Sequence, residues 1–75
     1  MTFPERLKQL KTENHTTQKE IANAAKISDR AYRSLESGAS VPNMNTLILL
    51  ADYYQVSLDY LTGRTDDPTY KPVKH

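Results

Sequence analysis

The chain contains no cysteine. Neither disulfides nor thiolate metal ligands can supplement its core, which suits a reducing compartment such as the cytoplasm. Long apolar runs are missing too. The longest, Leu47 to Ala51, falls far short of the ~20 residues that a membrane-spanning helix needs. The start of the chain lacks the basic-then-apolar pattern of a secretion leader, so a soluble, cytoplasmic protein is expected. Charge of one sign is scarce: ten Lys and Arg against nine Asp and Glu leave a net +1. Bulk attraction to phosphate is therefore weak, and a nucleic-acid partner must be held by arrangement rather than by overall charge. There is no nucleophile–base pair and no glycine-rich phosphate loop, and His15 and His75 have no clustered partners. Catalysis, a cofactor, a bound metal and a small-molecule ligand are not expected.

What is present is helical. Seventy-five residues suffice for one domain, burying roughly 60% of the unfolded surface. Phe3, Leu7 and Leu10 fall at helical spacing, with Glu5, Arg6, Lys8, Gln9 and Lys11 on the remaining faces. This predicts a first helix from about Pro4 to about Glu13. Thr17 followed by Glu20 is a capping box, which opens a second helix over about Gln18 to Ala25 with Ile21, Ala22 and Ala25 inward. Lys26 and Ile27 form a brief turn. Ser28 caps a third helix, Asp29 suits its positive end, and Gly38 stops it after Ser37. Tyr32 and Leu35, with Ala31, give that helix its inward stripe. Asn43 caps a fourth helix with Met44, Leu47, Ile48, Ala51 and Tyr54 on one face, and Ser57 caps a short fifth carrying Leu58, Tyr60 and Leu61. Residues 3–63 are thus expected to form an all-α domain of five short helices, with 64–75 a flexible tail.

Charge is polarised along this frame. Residues 1–33 carry Arg6, Lys8, Lys11, Lys19, Lys26, Arg30 and Arg33 against four acids, whereas residues 34–63 contain no Lys or Arg at all. The pair of short helices between Thr17 and Gly38, with small residues where they cross, has the helix-turn-helix arrangement, whose second helix offers its outer face to the major groove. Arg30 and Arg33, three apart, share a face. Arg is the side chain best matched to guanine O6 and N7, worth ~1–3 kcal/mol of discrimination. Residue chemistry alone leaves both as base readers or as solvated surface charges. Asp29 fits a helix-start residue, an acceptor for a cytosine amino group, or a brace for Arg33.

The string Thr17-Gln18-x-Glu20-Ile21-Ala22, then Ile27-Ser28, Leu35-Glu36-Ser37-Gly38, Pro42 and Thr46-Leu47, closely resembles the Cro/lambda-repressor (XRE) family. Val56 to Gly63 is similar to that family's final helix, and the likeness covers about residues 6–63. The resemblance implies a lambda-repressor-like fold and a transcription regulator that binds double-stranded DNA. It places Asp29, Arg30, Arg33 and Ser34 at base-reading positions. Gln18 and Ser28, with Lys19 and Ser37, would face the DNA backbone. Lys11 and Glu36 match a pair that bridges helices 1 and 3 in some members. Four departures from the family stand out. Thr16 replaces a usual leucine and is expected to loosen the junction of helices 1 and 2. Lys26 replaces a turn glycine and Gln55 a glycine or asparagine, so Lys26 is expected to be left-handed at some cost. The loop Ala39-Ser40-Val41 lacks the Lys or Arg of many relatives, which lowers non-specific DNA affinity.

One recognition helix reads only a few base pairs, so a homodimer on an inverted repeat, acting as a repressor, is the expected form. Leu49, Tyr53, Leu58 and Leu61, with Tyr70 and Val73, are the candidate dimer interface. The alternative is a protein-interaction module, antitoxin-like or anti-regulator, that keeps the fold with weak DNA affinity.

Overall fold

A computed structural model of the chain describes residues 1–69. Five helices follow one another: α1 (Phe3–Glu13), α2 (Gln18–Ala25), α3 (Asp29–Ser37), α4 (Met44–Tyr54) and α5 (Leu58–Leu61). No strand occurs among the described residues. Each helix starts at a side chain that accepts from an amide three residues on: Thr2, Thr17, Ser28, Asn43 and Ser57. These oxygens satisfy helix-terminal N–H groups that otherwise lack partners, and so fix where each helix begins. Thr2 and Glu5 form a reciprocal capping box, which starts α1 one residue before the expected Pro4.

Three of the helices, α2, α3 and α4, end on left-handed residues. Lys26 takes φ 57° after α2 and Gln55 φ 54° after α4, where the sequence departs from glycine, and Gly38 takes φ 84° after α3. His15, between α1 and α2, also has φ 54°, which no sequence signal announced.

Leu7, Ile21, Tyr32, Leu50 and Leu61 are the large, fully buried side chains, joined by Leu10, Ala22, Ala25, Leu35, Ala51, Val56 and Tyr60. The inward stripes of α2 and α3 are as the periodicity predicted. That of α4 is not. Leu50, Ala51 and Thr46 are buried, Leu47 and Tyr54 partly so, whereas Met44 and Ile48 face solvent at 64% and 41% exposure. Because α4 is apolar almost all round, its periodicity cannot fix its phase; packing against α2 and α5 does so.

Four further expectations are corrected. Arg6, placed among the solvated positions, is 2% exposed. It lies three residues from Phe3 and four from Leu10, within the apolar stripe itself. Leu61, placed on the dimer surface, is wholly inside the core, where the final turn docks. The segment after α5 is anchored at its start: Thr65 and Asp66 both accept from Arg6. Tyr70 and Val73 lie outside the described residues. Thr16 does not leave a loose junction. Its hydroxyl sits 2.9 Å from the Tyr54 hydroxyl, a polar tie between the α1–α2 connection and α4.

Candidate nucleic-acid interface

The α2–α3 pair is built from small contacts and one tight turn. Ala22 and Ala25 are nearly inaccessible, which lets the two helices approach closely. The Lys26 amide bonds the Asn23 carbonyl and the Ile27 amide the Ala22 carbonyl, so the left-handed turn closes the end of α2. Ser28 Oγ then accepts from the Ala31 amide at 3.0 Å and starts α3. Gln18, at the start of α2, reaches across to the Asp29 carbonyl at 3.5 Å and braces the first turn of α3.

Below, α3 is bolted down. Tyr32 is fully buried and its hydroxyl donates to the Glu36 carboxylate, which also takes Lys11 Nζ from α1 at 2.9 Å. Burial pushes the Glu36 carboxyl up, but the hydrogen bonds from Tyr32 and Lys11 outweigh it and hold the group below the ordinary glutamate range.

Above, the outward face carries the residues singled out from sequence. At about 100° per residue, Asp29, Arg30, Arg33, Ser34 and Ser37 fall within one arc of about 140°. Asp29, Arg30, Arg33 and Ser37 are exposed and Ser34 is partly buried. No described residue pairs with the Arg30 or Arg33 guanidinium, so both are free to meet an acceptor. Asp29 makes no ion pair with Arg33, so the bracing role considered for it is not what the structure shows. Ser28 keeps its O–H free to donate, because its oxygen only accepts from Ala31. The Ser37 hydroxyl is occupied, donating to the Ser34 carbonyl and accepting from the Ala39 amide. Lys19 is exposed on α2.

A helix-turn-helix family model matches residues 7–61. The chain belongs to the XRE-type helix-turn-helix family. This is a family of transcription-regulator domains and not an enzyme family. Its relatives include the uncharacterised regulator YobD of Bacillus subtilis, 36% identical over 92% of this chain and 62% of its own length. The CTXphi transcriptional repressor RstR of Vibrio cholerae is 36% identical over 85% of this chain and 57% of its own length. The transcriptional activator BcrR of Enterococcus faecalis is 36% identical over 81% of this chain and 30% of its own length. A crystal structure of a transcriptional regulator from Listeria innocua superposes with a TM-score of 0.79 at 34% identity, covering 83% of this chain and 58% of that one. The chain thus spans less than two thirds of the length of these relatives.

Two features of this helix-turn-helix chain extend the sequence reading. One is the Arg6 cluster. The other is the exposure of Val41, Met44 and Ile48, at 90, 64 and 41%, in addition to the expected Tyr53 and Leu58 at 39 and 38%. Leu49 is half-buried. Among the described residues no three His, Asp or Glu side chains are placed to hold a metal, and no helix is long and apolar enough to cross a membrane.

Proposed function

We propose that this chain is a sequence-specific regulator of transcription that works in the cytoplasm as a homodimeric repressor. In this reading α3 lies in the major groove of an inverted-repeat operator. Arg30, with Arg33, Asp29 and Ser34, meets base edges, while Gln18, Ser28 and Lys19 meet the backbone. The observation that carries the reading is the pair of unpartnered arginines on the outer face of a helix held rigid from beneath. Preorganised, unpaired donors bind acceptors without first breaking an internal contact. The homodimer draws on the few base pairs that one recognition helix can read, and on the five large apolar side chains left exposed between Val41 and Leu58. The name of RstR supports repression, and the activator BcrR shares the domain, so the sign of regulation rests on that one likeness.

Selection from a random duplex library at physiological salt tests this directly. An enriched inverted repeat is expected, with Arg30→Ala costing about 1–3 kcal/mol of specific binding and relaxing one position of each half-site. The second reading, a protein-interaction module, is favoured by the uncharged Ala39-Ser40-Val41 loop and its exposed valine. Failure to enrich any duplex, together with capture of a protein through α3, sinks the DNA reading in its favour.

A further inference from the structure

Little in its apolar contacts stops α3 from turning about its own axis. It is nine residues long, below the length at which a helix holds its shape in water, and its buried residues are Tyr32 and Leu35. Apolar burial is non-directional, so these two decide which side faces inward but leave the roll loosely set. The consequence falls on the opposite side. At about 100° per residue, Arg30 lies about 160° round the helix from Tyr32. With side-chain tips about 5–6 Å from the axis, a roll of about 20° carries them about 2 Å, whereas a binding group must be held to within about 0.5 Å.

The directional contact is at Glu36, about 40° round from Tyr32. Its carboxylate takes Lys11 Nζ from α1, at 2.9 Å. A glutamate side chain has several rotamers, and this one is 19% exposed, so water competes for it. Tyr32 settles the choice. Its ring is fully buried and held by packing, and its hydroxyl donates to Glu36 Oε2 one turn on. The carboxylate is set against that fixed phenol, and Lys11 then ties α3 to α1. Packing alone does not call for the hydroxyl, since phenylalanine fills the same space without a polar atom to satisfy. The other brace, from Gln18 to the Asp29 carbonyl, is 3.5 Å long and exposed, at the far end of the helix.

We propose that Tyr32 is a positioning residue for sequence reading: it orients Glu36 towards Lys11, which fixes the roll of α3 and with it the placement of Arg30 and Arg33. The proposal rests on the DNA-binding reading. Tyr32 touches no base or phosphate and acts through the carboxylate it holds.

The test titrates two duplexes with the full chain at physiological salt: one enriched by the wild type from the random library, and one of the same composition in scrambled order. The readout is the ratio of the two affinities. Tyr32→Phe is expected to lower that ratio about five- to tenfold, through weaker binding to the enriched duplex alone. The salt dependence should not change, because no phosphate contact is lost. Glu36→Gln should lower the ratio equally, and adding Tyr32→Phe to it should change little more, since both act through one tie. Leu50→Val, which loosens the core from α4 without touching the tie, should leave the ratio as it is. If Tyr32→Phe does not fold, Glu36→Gln carries the test, because it keeps an acceptor for the phenol and removes the charge that holds Lys11. An unmoved ratio, an equal loss on both duplexes, additive effects of the two substitutions, or a matching fall in Leu50→Val overturns this proposal alone. A wild-type chain that enriches no duplex overturns the DNA-binding reading and this one with it.

Discussion

Lys11 Nζ lies 2.9 Å from each carboxylate oxygen of Glu36, joining the last turn of α1 to the end of α3. Both side chains are partly sheltered, at 29% and 19% exposure, and Tyr32 donates to the same carboxylate. Charge-assisted bonds in such a site contribute more than an open surface pair. Glu36→Gln should cost about 1–2 kcal/mol of stability at neutral pH. Because folding lowers the Glu36 value, its contribution is present above the unfolded value of 4.5 and is lost as pH falls through the folded one. Thermal unfolding across an acid series should therefore show the wild-type advantage shrinking below pH 4.5. A difference that persists unchanged into strong acid would count against the network.

The alkaline limb has the opposite sign. Burial, then the bond to Glu36 and its charge, push the Tyr32 hydroxyl far above its ordinary 10.0. Burial raises Tyr54 as well, against the hydrogen bond it shares with Thr16. Both contribute stability that is intact below pH 10 and is lost as pH rises beyond it. Tyr32→Phe should be less stable at neutral pH by about 1 kcal/mol but fall off less steeply in base. Adding Tyr54→Phe should flatten the alkaline slope further.

Two left-handed caps are occupied by residues that adopt this conformation at a cost. Lys26 and Gln55, with φ of 57° and 54°, are exposed and end helices where glycine would carry no Cβ clash. Lys26→Gly and Gln55→Gly should each stabilise the fold by about 0.5–1 kcal/mol, seen as a raised unfolding midpoint. Lower midpoints in both would show that the side chains make contacts worth more than the strain.

The two glycines should respond unequally to a methyl group. At Gly38 an added Cβ meets only Pro4 Cγ, at an ordinary 3.6 Å. At Gly63 it would fall 1.8 Å from the Met1 carbonyl oxygen, on top of a φ of +82°. Gly38→Ala should cost about 1 kcal/mol, the backbone term alone, and Gly63→Ala at least about 2, by denaturant titration. Equal costs would mean that the first residues of the chain move aside freely.

Much of this was legible from local signals. Capping residues have short-range chemistry, so the starts of α2 to α5 and the turn at Lys26 follow from Thr17, Ser28, Asn43, Ser57 and their neighbours. The outward set on α3 also follows, because Tyr32 and Leu35 alone define its inner side. Phase and long-range pairing were not legible. Apolar residues surround α4, so nothing local distinguished Leu50 from Ile48. Arg6 reads as a surface charge until Tyr60 and Asp66, more than fifty positions away, arrive beside it. Leu58 and Leu61 look alike in sequence, and only the docking of the last turn sends one outward and the other into the core.

On α3, the side chains that could touch DNA and those that hold the fold together are different residues. Tyr32 and Leu35 face inward, Glu36 is tied to α1, and Ser34 receives the Ala39 and Ser40 amides through its main-chain carbonyl rather than its side chain. Positions 29, 30, 33 and 34 can therefore be exchanged without disturbing a core contact. A scaffold partitioned this way lets its outer face change chemistry at nearly constant stability, because none of the exchanged side chains is a strut.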